Sequence, residues 1–292
     1  MSKKVSGKIA CIYHFVDFDG LASAKIVQSK YPNCDLFGWN YNNNIPRSEL
    51  QYYDTIIMVD ISFPAEYMIY LKDNKNVIWI DHHISAIKDS KEYGYDDMAG
   101  IRNKKRAACR LTWEYFYPDK KLPRGIKYFA IYDIWNRKNE KRWNEKILPY
   151  QFAMREMAST IDELEWEFMR DKEVIKELIE MGNIILSYQK KQYDRIKYLA
   201  HPVTFNGYKF LAINHSSATS MVLEDIFTNE YDAMMVYRYN GKKHNWNISM
   251  YTNEANDIDL SVIAKQYGGG GHAKACGFVA DTDFLKDEGI IE

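Results

Sequence analysis

Apolar residues along this chain follow two rhythms, and the change from one to the other marks its organisation. Lys8 to His14, Thr55 to Val59 and Val77 to Ile80 are short β-prone runs that read as buried strands, and Gly20 to Lys30 between the first two reads as a helix. Strand alternating with helix predicts a parallel sheet covered on both faces, with ligands gathering where the strands end at their carboxyl edge. Beyond Asp133 the rhythm turns helical. Val174, Leu178, Met181, Ile185 and Tyr188 recur at spacings of three and four, predicting one long amphipathic helix whose stripe is most simply core packing and whose position suggests a connector. After His201-Pro202 strands return at 203–205, 209–213, 233–239 and 246–251, with a helix predicted from Thr219 to Phe227. The expected fold class is α/β. A doubly wound parallel sheet occupies residues 1–150, a helical connector 151–201, and a smaller α/β domain with a mixed sheet 202–292.

Composition narrows this picture only slightly. Hydrophobic residues make up 46% and charged residues 27%, as in ordinary globular proteins. No apolar run approaches the roughly 20 residues of a membrane span. Met1 to Lys8 contains no small-residue cleavage site, so no secretory signal and a cytoplasmic location are expected. Cys11, Cys34, Cys109 and Cys276 stand far apart, which argues against a zinc knuckle or a disulfide framework and for buried, reduced thiols. The net charge of −1 conceals blocks: between residues 102 and 146, 14 Lys or Arg stand against 5 Asp or Glu, and between 156 and 180 the acids lead. The basic block could meet a polyanion; both blocks read equally well as solvated helix faces.

Chemistry gathers at the strand ends. Asp17 and Asp19 follow the first strand, Asp60 closes Ile56-Ile57-Met58-Val59, and Asp81-His82-His83 closes Val77-Ile78-Trp79-Ile80. In an extended segment Asp17 and Asp19 leave the backbone on one side and can address one cation cluster, with Gly20 permitting a bend before the helix. Asp-x-Asp-Gly is also common loop chemistry. Desolvated carboxylates after such apolar runs need positive partners, and cations would supply them. Carboxylates and imidazoles without a cysteine cluster suit Mn2+ or Mg2+ better than structural zinc.

Tyr13-His14-Phe15-Val16-Asp17-Phe18-Asp19-Gly20, Val59-Asp60, Asp81-His82-His83, Tyr132-Asp133 and Gly268 to Gly271 with His272, in that order, resemble the DHH phosphoesterase family over nearly the whole chain. The resemblance implies that His14, Asp17 and Asp60 hold one metal ion while Asp19, Asp60, His82 and Asp133 hold a second, Asp60 bridging. The ions would be two Mn2+, with Mg2+ an alternative, about 3.5–4 Å apart around an attacking water. It further implies that Asp81 orients His82 through its second ring nitrogen and that His83 faces the substrate phosphate. Asp60, Asp81 and His83 thus form the catalytic group.

The stretch from Asp257 to Phe278 resembles the family's C-terminal substrate-binding domain. Its glycines, Gly269, Gly270 and Gly271 among them, precede a predicted helix and could let backbone N–H groups receive phosphate oxygens, with His272 beside them. The chain departs from the family pattern twice. His14 stands three residues before Asp17 rather than two or four. Tyr251 occupies the place of an arginine, and a tyrosine can stack or donate one hydrogen bond but cannot form a charged fork.

The resemblance implies hydrolysis of short single-stranded oligonucleotides, in the manner of exonucleases and nanoRNases, in a cleft between the two domains. Alternatives are a cyclic-dinucleotide or nucleoside-bisphosphate phosphodiesterase, a pyrophosphatase or polyphosphatase, and a nucleotide-binding module without turnover. No membrane partner is expected, and a homodimer stays open. With 23 Tyr and 7 Trp the chain has aromatic surface on which bases could stack, though most of it should be core.

Overall fold

The computed structural model describes residues 7–41, 43–216, 219–253 and 255–291. The N-terminal stretch read for a secretory signal lies largely outside them. The chain divides into two compact units, Met1–Leu186 and Ser187–Glu292.

The first unit contains β1 (Ile9–His14), α1 (Phe18–Lys30), β2 (Asp35–Trp39), α2 (Arg47–Leu50), β3 (Thr55–Val59), α3 (Ala65–Asn74), β4 (Asn76–Ile80), α4 (Ile84–Glu92), α5 (Ala108–Phe116) and α6 (Arg124–Asp133). These are followed by α7 (Glu140–Arg142), a π-helical turn (Trp143–Ile147), α8 (Leu148–Met157), α9 (Trp166–Arg170) and α10 (Lys172–Ile196), which runs past the end of the unit. The four strands are parallel in the order β2-β1-β3-β4.

Alternate strand residues enter two different cores. Ala10, Ile12, Ile56, Met58, Val77 and Trp79 pack with Leu50, Met68 and Leu71 of α2 and α3 on one face. Cys11, Tyr13, Ile57, Val59, Ile78 and Ile80 pack with Leu21, Leu111, Phe129 and Met154 of α1, α5, α6 and α8 on the other. Burial on both faces explains why these strands read as continuous apolar runs. From β1 the chain passes to β2 on one side and then to β3 on the other, so the crevice at their carboxyl ends is a topological switch point, where ligands of such sheets bind.

The turn from β1 into α1 shows how tightly that edge is built. Asp17 caps α1, its Oδ1 accepting the Gly20 N–H at 3.0 Å. Gly20 has ordinary helical backbone; the glycine is needed because a β-carbon there would stand 1.9 Å from the His14 carbonyl oxygen. Close approach, rather than the bend expected from sequence, is its role.

The second unit carries a 3-10 turn (Lys197–Leu199), β5 (His201–Phe205), β6 (Tyr208–Asn214), a 3-10 turn (Ser220–Val222), β7 (Ala233–Asn240), β8 (Asn245–Tyr251), α11 (Leu260–Gln266), β9 (Gly270–His272), β10 (Ala275–Ala280) and α12 (Phe284–Asp287). The sheet order is β5-β6-β7-β8-β10-β9, with only β6 and β7 parallel. Leu260, Ile263 and Leu285 of α11 and α12 cover one face. Tyr193 of α10, Val222 and Leu223 cover Leu211, Ile213, Met234 and Val236 on the other.

Two expectations need correction. The helix predicted over Thr219 to Phe227 is a single 3-10 turn followed by irregular turns. Met221, Val222 and Leu223 are consecutive, and consecutive residues cannot share one face of an α-helix, so packing all three toward the sheet unwinds the segment. The apolar stripe of α10 is core at Leu178, but Tyr188 is 66% exposed.

Adding one methyl at the β1–α1 turn tests this packing. Gly20→Ala should destabilise the protein by about 2 kcal/mol or more, as overpacking does, and weaken cation binding at the strand ends. Thermal unfolding and calorimetric Mn2+ titration would measure both; an unchanged midpoint would contradict the contact.

Candidate metal centre

Every residue assigned above to metal comes to the carboxyl edge of the first sheet, the six of them by five elements. His14 ends β1, Asp17 caps α1, Asp19 lies in the first turn of α1, Asp60 follows β3, His82 follows β4, and Asp133 is the last residue of α6. Asp17 and Asp19 therefore do not share an extended segment as expected; the helix start intervenes, and both still converge. Three groups of possible ligand atoms lie mutually within 4.8 Å: His14 with Asp17 and Asp60, Asp19 with His82 and Asp133, and Asp60 with His82 and His83. His14 Nδ1 is 3.1 Å from Asp17 Oδ2 and 3.7 Å from Asp60 Oδ2, so its unusual spacing does not remove it from the cluster. His82 Nε2 is central, 3.3 Å from Asp60 Oδ1 and 3.5 Å from both Asp19 Oδ2 and Asp133 Oδ2.

The backbone fixes the two most buried of the assigned metal carboxylates. Asp60 has φ +61, a left-handed conformation that Asp tolerates better than most residues, with its N–H on the Ile80 carbonyl at 2.9 Å. Asp19 accepts the Ala108 and Cys109 N–H groups at 2.7 and 2.8 Å, which seats its charge at the amino end of α5.

These groups perturb one another strongly. Burial raises the Asp19 carboxyl, and the Asp60 charge adds to it, bringing it to about 7. Burial and the Asp19 charge likewise push Asp133 far up. Burial would also raise Asp60, but His14 and His82 outweigh it and hold Asp60 well below the usual carboxylate range. Burial disfavours a charged His14 or His82; the surrounding carboxylates override it, bringing them to about 10 and about 11.

The fit to cations can be judged directly. His14 Nδ1, Asp60 Oδ1 and Asp133 Oδ2 are buried atoms of this cluster that have ionic neighbours at 3.1, 3.3 and 3.5 Å but make no aligned hydrogen bond. Interiors rarely leave such atoms unsatisfied. Oxygen-rich donors with two imidazoles suit Mn2+ or Mg2+, so the donor set fits a divalent pair.

Asp81 has a different place from the one expected. Its Oδ1 accepts the His82 and His83 N–H groups at 2.6 and 3.0 Å and lies 2.8 Å from His83 Nδ1, while Oδ2 accepts Trp79 Nε1 at 3.2 Å. The ring it orients is that of His83, because the chain turns into α4 directly after Asp81 and brings His83 back over the carboxylate.

Part of the basic block is structural. The Arg102 guanidinium donates to the carbonyls of Trp79 and Asp96 at 3.0 and 2.8 Å, and Arg106 and Arg110 pair with Glu114 at 2.7 and 2.8 Å.

In the second unit Gly270, Gly271 and His272 form edge strand β9 rather than a loop before a helix. Gly268 closes α11 and Gly271, at φ +131, starts a hairpin, so no helix amino end is available to an anion there. Tyr251 pairs with Ala275, which pairs with His272, so the three share one row of the sheet.

Sequence reasoning missed Tyr41. The residue is half exposed beyond β2, but its hydroxyl end is buried against Ser62, and that burial with the Asp81 and Asp60 charges pushes the phenol up. Only its place after a strand of the same sheet could have signalled it.

No protein-family model matches the chain. An uncharacterised protein of Acanthamoeba polyphaga mimivirus, R106, is 26% identical over 236 residues, 76% of this chain and 52% of the viral protein. The chain thus spans about half the length of the curated relative it matches. Among solved structures, the pGpG-specific phosphodiesterase PggH of Vibrio cholerae superposes with a TM-score of 0.51 at 14% identity, covering 97% of each chain. RecJ of Thermus thermophilus in complex with Mn2+ superposes with a TM-score of 0.52 at 13% identity, covering 97% of this chain and 51% of RecJ. The chain has a DHH/RecJ-like two-domain α/β fold. Among the described residues, no helix is long and apolar enough to cross a membrane.

Metal loading should be proton-linked. The raised pKa values mean His14 and His82 carry protons in the metal-free protein, contributing stability that is full below about 6.5, declines as pH rises above it and is gone above about 10 to 11. Asp19 acts in the same direction over a lower window: between its ordinary value and about 7 the folded form binds the extra proton, so metal-free stability falls as pH rises there. Cations displace the imidazole protons and relieve the carboxylate repulsion. The rise in melting midpoint on adding Mn2+ should therefore be larger at about pH 8.5 than at about pH 6. A rise that does not vary with pH would refute the linkage.

Proposed function

We propose that this chain is a divalent-metal-dependent phosphoesterase that hydrolyses phosphodiester bonds of short oligonucleotides. The observation that carries the reading is the convergence of four carboxylates and two imidazoles at the switch point of a parallel sheet, with three buried ligand-type atoms unsatisfied. The fold likeness to RecJ and PggH supports the same class by analogy.

His14, Asp17 and Asp60 would hold one cation and Asp19, Asp60, His82 and Asp133 the other, Mn2+ preferred and Mg2+ acceptable. Divalent cations so held supply charge neutralisation for a transferring phosphoryl group and make water acidic enough to attack near neutral pH. The protein's own part is positioning. Asp60 is the shared ligand, locked by its left-handed backbone. Asp19 is clamped by two N–H groups of α5. Asp81 fixes the His83 ring, which we assign to a substrate phosphate oxygen. We assign residues 1–150 to the metal-binding catalytic domain, 151–201 to a connector and 202–292 to a substrate-binding domain in which Gly269, Gly270, Gly271, His272 and Tyr251 meet the substrate. Tyr251 would contribute a ring face or one hydrogen bond rather than charge.

A second reading, a phosphodiesterase of small dinucleotides, is favoured by the fold likeness to PggH over nearly the full length of both chains. Hydrolysis of 5′-labelled dinucleotides, longer strands, cyclic dinucleotides and pyrophosphate in Mn2+ should show short linear substrates fastest. Binding without product from any of them would replace hydrolysis by a nucleotide-binding role. Asp60→Ala should reduce turnover to background, whereas His272→Ala should raise KM with Mn2+ affinity kept. An Asp60→Ala protein as active as wild type would remove the bridging assignment.

A further inference from the structure

Among the described residues, four helices end in a left-handed residue, and in three it is glycine. Gly94 ends α4, Gly268 ends α11 and Gly289 ends α12, at φ +73, +73 and +64, and the following residue donates back to the last turn: Tyr95 to Ser90 at 2.9 Å, Gly269 to Ala264 at 2.8 Å and Ile290 to Leu285 at 2.7 Å. This is the usual glycine closure of a helix, satisfying its last carbonyls.

Helix α6 closes with the same bonds. Trp135 N–H donates to the Tyr132 carbonyl at 2.9 Å and Asn136 N–H to the Ile131 carbonyl at 3.0 Å, but the left-handed residue, at φ +49, is tryptophan. A β-carbon makes this conformation unfavourable, and a bulky residue there is a true outlier. Glycine would close α6 as it closes the other three, so helix termination does not account for the side chain. Strained residues of this kind concentrate at functional sites.

The indole has a definite setting. Trp135 stands two residues beyond Asp133 and is 42% exposed. Tyr132 and Trp143 meet it in edge-to-face contacts, with centroids at 5.3 and 4.9 Å, and are themselves stacked at 5.5 Å. Trp143 opens the π-helical turn, a rare helical form found mostly at functional sites. Arg155 and Arg137 lie over the Tyr132 and Trp143 rings at 5.7 Å each, so the surroundings are cationic. A partly exposed aromatic ring, held between two others in a basic setting and two residues beyond a candidate metal ligand, resembles the arrangement by which proteins stack nucleobases without reading sequence.

We propose that Trp135 is a base-stacking platform: its indole receives a nucleobase of the substrate whose phosphate lies at the metal centre. The inference rests on the phosphodiesterase reading above and narrows it, since such a platform favours nucleotides over base-free phosphates.

The test uses the whole chain with Mn2+ and two probes, a dinucleotide with a non-hydrolysable methylenephosphonate linkage and its abasic counterpart. Trp135→Gly removes the ring while suiting the left-handed position, so relief of backbone strain offsets part of the lost ring packing, and a melting curve confirms that the variant is folded under the binding conditions. By calorimetry it should bind the base-bearing probe about ten-fold or more weakly, a typical loss for one stacked base, and the abasic probe as wild type does. Trp135→Phe should recover most of the difference. Equal weakening toward both probes, or toward neither, would overturn the proposal. Turnover of the native dinucleotide by wild type is read separately. Its absence, with base-dependent binding retained, would refute hydrolysis and leave the stacking platform standing; the reverse pattern would do the opposite.

Discussion

Negative charge removed from water is the constraint around which the first unit is built. Asp19 and Asp60 are almost wholly buried and Asp133 mostly so, all three around the single nitrogen His82 Nε2. An interior tolerates this only with compensation, and the protein supplies part of it: two backbone N–H groups on Asp19 and two imidazoles beside Asp60. The rest is met by protons, which the raised values of His14, His82 and Asp133 retain, at atoms whose donor chemistry and place would also suit a divalent pair.

The sheet exists in the form this cluster needs. Because β1, β3 and β4 bury side chains on both faces, their ends are fixed from two sides and the residues just beyond them have little freedom. Each ligand-type residue then sits at the end of a strand or on the first turn or cap beyond it. The exception is Asp133, delivered by the end of α6, whose closure by Trp135 holds the last turn in place.

Much of this was legible in the sequence because an apolar run and the polar residue that closes it are local signals. Asp60 after Ile56 to Val59 and His82 after Val77 to Ile80 announce strand ends, and the order of the motifs supplies the rest. The illegible features depend on contacts distant in sequence or on backbone geometry. That Asp81 grips His83 rather than His82 comes from the direction of the turn into α4. That Asp19 docks on α5 joins residues 89 apart. The glycines at 268 to 271 looked like a phosphate loop, yet a helix stop and a hairpin consume them. Met221 to Leu223 had the hydrophobicity of a helix but not its spacing. Tyr41 carried no local signal.

The span between Asp19 and α5 also bears on how the protein comes into being. His14, Asp17 and Asp19 leave the ribosome well before Ala108 and Asp133, so the pocket cannot close until most of the first unit has been synthesised and its non-local parallel pairings have formed. A nascent chain therefore offers scattered weak ligands instead of a finished pocket, and cation capture becomes one of the last events of maturation. The choice of any ion held there would fall to the folded chain in equilibrium with its surroundings, not to whatever the growing polypeptide meets first.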